Sequence, residues 1–513
     1  MGLLLTPLQH VCQLSGKEMA KTELVEQLVI AESSRISEVL EVLNQTGHRT
    51  VLVVDHAGRL SGVITDGDLR RALLRGAGLS DPATVAANRN FVSLPSDSDP
   101  EIVQQHLSNR IMLVPLIDQE GRPVDFATQK AVGFVPAAEP VLGHNEINYV
   151  LDCVQSGWIS SQGSYVSAFE NGFAKYVDCP NALSVSNGTV ALQLALAALG
   201  VGPGDEVIVP DLTFAASINA VIHTGATPVL VDVLQDEMTL DVAAAEEAIT
   251  PATRAIMPVH LYGQMCEMGQ VTELAAQHEL YVIEDAAEAL GSRWRGQHAG
   301  TIGDAGTFSF FGNKLITTGE GGMVVFKEPE VAARARMLRD HGMDPSQRYW
   351  HLDVGFNFRM TNLQAAIGVA QLERIDDLLS AKHQLAAKYS ERLSDLSNQL
   401  ILPEAAPDTD HSFWCYVVRL KVQDSEIALK LIEFMKARDI DVRPVFFPLH
   451  RMPPYSDVRR VGRLTGSSGS SDLGIVLPSS PKLTDPQIAH VCDTLRAGLD
   501  VIGVEQLLRQ NAL

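Results

Sequence analysis

The residue with the most evident chemistry is a lysine framed by glycines. Lys314 lies in Gly-Asp-Ala-Gly-Thr-Phe-Ser-Phe-Phe-Gly-Asn-Lys-Leu-Ile-Thr-Thr-Gly-Glu-Gly-Gly, residues 303–322. Thr307–Phe311 reads as a strand that ends at Gly312-Asn313, and Met323–Phe326 reads as a second strand after Gly321-Gly322. The lysine is therefore expected on the loop between them. Desolvation disfavours the charged form of an amine, and the neutral amine is the form that makes a Schiff base with a carbonyl. Taken alone, a lysine reads as a solvated surface residue, so this reading depends on what the rest of the chain brings to it.

Three further stretches bear on it. Ser186-Asn187-Gly188-Thr189 follows the strand-like run Ala182–Val185 and opens an Ala/Leu-rich helix over about 190–199. A helix start approached through a glycine offers free N–H groups to a phosphate, although Ser, Asn and Gly are also ordinary capping residues. Phe214, in Pro-Asp-Leu-Thr-Phe-Ala-Ala-Ser at 210–217, is either core or a ring that stacks on a planar heterocycle at the carboxyl end of a sheet. Asp285 ends the apolar run Tyr281-Val282-Ile283, and a carboxylate buried there needs a cationic partner. A pyridinium N–H is such a partner. Phosphate cradle, stacking ring, buried aspartate and loop lysine together point to pyridoxal 5'-phosphate, with no metal.

The elements that must position these residues alternate between helix-like and strand-like runs beyond residue 136, which predicts an α/β layer fold. Ala182–Val185, Glu206–Val209, Pro228–Val233, Ala255–Pro258 and Tyr281–Glu284 are short and apolar, as strands buried on both faces of a mainly parallel sheet are. A helix-like region, Gln364–Leu379, leads into a smaller domain with strands near 415–420 and 441–446 and a closing amphipathic helix, Ile488–Leu499.

With these motifs assembled, residues 140–500 resemble the DegT/DnrJ/StrS sugar-nucleotide aminotransferases, and among them the perosamine-synthase group. The likeness rests on Ser-Asn-Gly-Thr-x-Ala-Leu at 186–192, Thr-Phe-Ala-Ala-Ser at 213–217 and Glu-Asp-Ala-Ala-Glu-Ala-Leu-Gly-Ser at 284–292. The lysine loop at 308–322, Gly-Phe-Asn-Phe-Arg-Met-Thr-Asn at 355–362, Arg-Pro-Val-Phe-Phe-Pro-Leu-His at 443–450 and Leu-Pro-Ser-Ser-Pro at 477–481 add to it. The resemblance implies the aspartate-aminotransferase-like fold, with a large cofactor domain at 136–375 and a small C-terminal α/β domain at 376–513. It implies that Lys314 bonds the cofactor, Asp285 meets its ring nitrogen, Phe214 stacks on the ring, and Gly188, Thr189 and Ser309 hold the phosphate. Glu288 falls near the 3-hydroxyl, where many relatives have Gln or His. Asn357 matches a residue that reaches into a neighbouring subunit, which implies a homodimer or higher oligomer; by itself it is a turn residue.

The same resemblance implies L-glutamate as amino donor and a nucleotide-linked 4-keto-6-deoxy sugar, GDP-linked, as acceptor. Trp158, Ser161, Arg443 and His450 are candidate sugar or nucleotide contacts, with local packing as the alternative, and His341 is undecided between the two. A sugar dehydratase is the competing enzyme, disfavoured because its family members replace the lysine with histidine. A non-catalytic ligand-sensing regulator on the same fold is the competing class, and the retained Lys314 and Asp285 argue against it.

Residues 1–135 carry an internal repeat. Val53-Val54-Asp55-x-x-Gly58-Arg59 aligns with Leu116-Ile117-Asp118-x-x-Gly121-Arg122, each after a helix-like stretch. The segment resembles a tandem pair of CBS domains, which often bind adenine nucleotides. In the first copy a strand enters Thr65-Asp66-Gly67-Asp68 and then a helix, where Thr65, Asp66 and Asp68 could meet ribose and Arg70 and Arg71 phosphate. Asp66 and Asp68 equally could cap a helix from about Leu69, and the pair could be a dimerisation module with an empty cleft. The second copy is degenerate, with Asp125-Phe126-Ala127-Thr128-Gln129 at the same place. The Pro/Gly-bearing stretch 132–145 reads as the linker.

Composition narrows the field. The chain has 513 residues, 46% of them hydrophobic, and a formal charge of -22. Such a chain lacks the clustered Lys and Arg that nucleic acid or an anionic membrane requires. Six cysteines are scattered without Cys-x-x-Cys or zinc spacing, which suggests a reducing cytoplasm. Met1-Gly2-Leu3-Leu4-Leu5-Thr6 matches a myristoylation pattern by letter and is read as chance.

Overall fold

The computed structural model describes residues 25–46, 50–107, 111–128, 134–422, 424–504 and 507–508. The N-terminal Met1–Thr6 pattern, Cys12, Gln129 and the start of the linker lie outside the described residues. The chain divides into two compact units, 1–134 and 135–513.

In the first unit the repeat is structural. Strand Val29–Ala31, helix Ile36–Thr46 and the hairpin Thr50–Val54/Leu60–Thr65 are matched by strand Leu94–Pro95, helix Pro100–His106 and the hairpin Leu113–Ile117/Pro123–Thr128. In both copies the first strand pairs parallel with the second and the hairpin is antiparallel. The repeated Asp-x-x-Gly-Arg explains the hairpin turns. Asp55 Oδ1 accepts the N–H groups of Ala57 and Arg59, Asp118 Oδ1 accepts those of Glu120 and Arg122, and Gly58 and Gly121 take φ 78° and 81°. An aspartate that binds its own backbone two residues on and a glycine at positive φ are what such a turn requires.

The second unit is built on an eight-stranded sheet, in the order Arg459–Arg460, Thr227–Val231, Glu206–Pro210, Thr253–Ile256, Tyr281–Asp285, Ala305–Ser309, Gly322–Phe326, Ala182–Val185. The first six strands are parallel, and Gly322–Phe326 runs against both of its neighbours. Strand alternation sends successive side chains to opposite faces. Ile208, Val282, Met323 and Val325 join one core with Phe169, Phe173 and Phe308, while Val207, Val209, Ile283, Val324 and Phe326 join the other. Helix Gly188–Ala198 lies in that second core and is apolar nearly all round, because helices Ala216–His223 and Pro329–Arg339 cover it where the sheet does not.

The helix expected at 364–379 is two helices, Asn362–Leu372 and Ile375–Leu393, separated at Arg374, whose backbone leaves the helical region at φ -125°, ψ 20°. The smaller part of the unit carries a four-stranded antiparallel sheet ordered Leu400–Ile401, Tyr416–Leu420, Gly474–Leu477, Arg443–Pro444. The strand expected over 441–446 pairs only at Arg443–Pro444. It is an edge strand, where a residue without an N–H is tolerated. Helix Asp485–Ile502 closes the core of this part. Val135 enters the same core and exchanges hydrogen bonds with Asp439 and Asp441, so the chain passes over the smaller part before it builds the large sheet.

Candidate functional site

The carboxyl ends of the parallel strands open onto a cavity of about 810 Å³, the position at which α/β sheets bind ligands. Lys314 follows Ala305–Ser309 on the hairpin loop that leads to Gly322–Phe326. Its Nζ lies 3.2 Å from Glu288 Oε1 and 3.9 Å from the centre of the Trp414 ring. Trp414 is itself tied back to the loop, its Nε1 donating to the Asn313 carbonyl at 2.8 Å.

Asp285 ends its strand at the cavity floor and is 5% exposed. Its Oδ2 accepts from Ser217 Oγ at 2.7 Å and its Oδ1 from the Ala287 N–H at 3.2 Å. Burial raises its pKa against these hydrogen bonds and the nearby Lys314, so a cation at the cavity floor would stabilise the ionised form. Glu288 is 7% exposed, and its Oε2 accepts the Tyr262 N–H at 3.1 Å. Burial raises its pKa as well, against the opposing Lys314 charge.

The glycine-opened helix begins at Gly188, which itself lines the cavity. Asn187 caps it by accepting from the Val190 N–H at 3.0 Å, which leaves the Gly188 and Thr189 N–H groups without acceptors inside the helix. A Cβ at Gly188 would come within 2.9 Å of Ser309 Cβ, so the approach of helix to strand needs a glycine. Phe214 is 60% exposed at the cavity wall, which is a stacking surface and not the core position that its sequence also allowed. Anion-binding amides, an open aromatic face, a buried carboxylate and a lysine converge on one cavity, and these residues fit pyridoxal phosphate.

Of the other expected residues, Ser309 and Arg443 line this cavity. Trp158, Ser161, His341, Asn357 and His450 do not. Trp158 is 58% exposed and its carbonyl accepts from Asn362 Nδ2. Ser161 lines a separate cavity of about 140 Å³ with Arg336, Arg339 and Arg359. His341 sits at φ 61°, its ring 2.9 Å from Asp340, and Asn357 is exposed with Oδ1 accepting from Arg359. The N–H and Nδ1 of His450 both donate to Asp211, which is fully buried and also accepts from Ser467 Oγ.

Tyr262, Trp414, Ser217 and Phe446 shape the site without having been singled out. Ser217 stands in a quoted motif, but its partner Asp285 is distant in sequence. Phe446 stands in the quoted motif at 443–450, while Trp414, which also arrives from the smaller part of the unit, is announced by no local pattern.

In the first unit, Thr65 and Asp68 are engaged with each other. Asp68 Oδ2 accepts from the Thr65 N–H and Oγ1, Asp68 N–H donates to Thr65 Oγ1, and Arg71 donates to Asp68 Oδ1. Thr65 is therefore the cap, and the helix starts at Asp66, three residues before the expected Leu69. Asp66 and Arg70 are exposed.

Sheet, hairpin lysine and strand-end aspartate define a pyridoxal-phosphate enzyme of the α/β aminotransferase class. More particularly, the chain belongs to the DegT/DnrJ/EryC1/StrS aminotransferase family, whose model matches residues 140–496. A CBS domain matches residues 17–75. The GDP-perosamine synthase of Caulobacter vibrioides is 49% identical over 361 residues, 70% of this chain and 97% of that one. The GDP-perosamine synthase of Escherichia coli O157:H7 is 44% identical, covering 71% and 98%. Among solved structures, DesV of S. venezuelae superposes with a TM-score of 0.64 at 39% identity, over 69% of this chain and 93% of that one. The protein is an enzyme, a sugar-nucleotide aminotransferase. No helix among the described residues is long and apolar enough to cross a membrane.

Proposed function

We propose that this enzyme transfers the amino group of L-glutamate to the keto carbon of a GDP-linked 4-keto-6-deoxyhexose, in the cytoplasm. The observation that carries the reading is the Lys314 amine beside Glu288, in a cavity that buried Asp285 also lines, in a chain 49% identical to a GDP-perosamine synthase.

Bound pyridoxal phosphate supplies an electron sink for the carbanion formed at the amino-bearing carbon. The protein's residues divide the remaining work. The Gly188 and Thr189 amides and Ser309 Oγ hold the phosphate at the helix start. Phe214, exposed at the cavity wall, would cover one face of the ring. Asp285, desolvated and held by Ser217, would pair with the ring nitrogen and keep its proton in place. Lys314 would hold the cofactor through its Nζ, and the same Nζ would take the proton from the donor's α-carbon and return one on the acceptor half of the cycle. The apolar walls Val190, Leu192, Val259 and Leu261 keep water from these transfers.

The working form is a homodimer in this reading. Helix His144–Ser156 leaves Ile147, Leu151 and Val154 exposed at helical spacing, and Trp158, Tyr349, Trp350 and Val354 are exposed as well, which is apolar surface a second copy would cover. Asn357 would then serve the partner's site. The CBS domain would bind an adenine nucleotide through the exposed Asp66 and Arg70.

The test is an absorbance spectrum with pyridoxal phosphate before and after L-glutamate, followed by mass analysis of the amino sugar formed from the GDP-linked keto sugar. A lysine-bound cofactor band that glutamate converts, with glutamate-dependent product, supports the reading. Conversion without product redirects it to another keto sugar, and no band refutes it. Titration of the full chain with ATP and AMP tests the nucleotide, and no heat with either removes it.

A further inference from the structure

The buried loop at 261–263 contains a backbone conformation its sequence does not favour. Tyr262, 4% exposed, adopts φ 55°, ψ 12° in the left-handed region, which is strained for a bulky residue. Its geometry shows what the conformation achieves. The Tyr262 N–H points to Glu288 Oε2 at 3.1 Å, while Glu288 Oε1 takes Lys314 Nζ at 3.2 Å. The Tyr262 ring stacks on Trp414 at 6.1 Å and 8°, and on Phe446 at 5.4 Å and 29°. Its hydroxyl accepts the Phe446 N–H at 3.1 Å. Trp414 in turn lies 3.9 Å beneath Lys314 Nζ.

Two independent supports of Lys314, the Glu288 carboxylate and the Trp414 ring, therefore both rest on one residue. The amide holds the first and the ring holds the second. Gly263 follows at φ 103°, and a Cβ there would meet Ser412 Oγ at 2.7 Å and the Phe413 N–H nitrogen at 2.9 Å, so the strained turn also seats the segment that carries Trp414. Turning the Tyr262 peptide to an ordinary conformation would withdraw its N–H from Glu288. That would leave a buried carboxylate with Lys314 as its one remaining partner among the hydrogen bonds described, and would draw the amine toward Glu288.

We propose that Tyr262 is a positioning residue that holds Glu288 and Trp414, and through them the Lys314 amine, in register for attack on a carbonyl. This rests on the aminotransferase reading of the site and adds a residue to it. The experiment measures the rate at which Lys314 captures pyridoxal phosphate covalently, by absorbance and borohydride trapping, together with kcat per cofactor-loaded site. Tyr262→Leu removes the stack and is expected to slow both by about tenfold or more, with KM for glutamate within about threefold of wild type. Tyr262→Phe, which keeps the stack, is expected to stay within about threefold. In a Trp414→Leu background, where the stacking partner is already gone, Tyr262→Leu is expected to cost clearly less than in the wild type, because coupled residues do not add. If Tyr262→Leu does not fold, Phe446→Leu unstacks the ring from the cavity side and is expected to show the same kcat-selective loss. Wild-type rates per loaded site in the Leu variant, or an equal loss in both backgrounds, overturn the proposal. A wild-type protein that captures the cofactor but makes no amino sugar overturns the substrate reading while leaving the capture rates to decide the role of Tyr262.

Discussion

Gly188→Ala isolates the phosphate cradle from every other part of the site. The backbone at 188 is not in the positive-φ region, so alanine is conformationally acceptable and the cost is contact alone. The added Cβ would stand 2.9 Å from Ser309 Cβ and 3.3 Å from its Oγ. Ser309 cannot retreat, because its strand pairs with Gly322, and Gly322 is itself seated so closely on Asn187 that a Cβ there would meet backbone at 2.7 Å. The helix start must move instead, and without cofactor it relaxes toward the cavity. Binding then requires either restoring the clash or accepting longer bonds from the Gly188 and Thr189 amides. Overpacking of this kind costs about 1–3 kcal/mol, which is roughly 5- to 150-fold in Kd. Titration of the variant with pyridoxal phosphate, followed by the lysine-bound absorbance, measures it, with circular dichroism confirming the fold. A Kd within about twofold of wild type would refute the cradle, since even the low end of that range exceeds it.

Lys314→Ala is expected to leave the fold intact, abolish borohydride-trapped cofactor mass and stop amino transfer; residual transfer near the wild-type rate would remove the lysine from its role. For His450→Ala, loss of the Nδ1 donor to fully buried Asp211 should reduce stability by about 1–3 kcal/mol in chemical denaturation with cofactor affinity unchanged; a selective rise in sugar KM would restore His450 as a substrate contact. His411 is kept neutral by burial, moved from 6.5 to about 3, and its Nδ1 accepts the Phe413 N–H. Between these values the unfolded chain binds a proton that the folded chain refuses, so stability falls as pH drops below about 6.5 toward 3. Denaturation at pH 7 and pH 5 should show that fall, and His411→Asn should reduce it, the remainder coming from His298, which burial moves to about 4; an unchanged difference in the variant would show that His411 is not a contributor.

The local chemistry of the site was legible because it is written in short windows. A strand that ends in Asp285, a Ser-Asn-Gly-Thr that opens a helix and a glycine-framed Lys314 each depend on residues within a few positions, and the α/β alternation and the repeat of Asp55 and Asp118 turns depend on periodicity alone. Those features are set by backbone sterics and solvent preference, which act along the chain. The convergence was not local. That Ser217 meets Asp285, that Trp414 and Phe446 come across from the smaller part of the unit, that His450 meets Asp211 and that Tyr262 bears a strained conformation between Glu288 and Trp414 all follow from packing between residues tens to hundreds of positions apart. Sequence decided which groups were available for chemistry, because residue type and local spacing carry that information; only the tertiary structure decided which of them share one cavity, because burial and mutual distance are properties of the folded core.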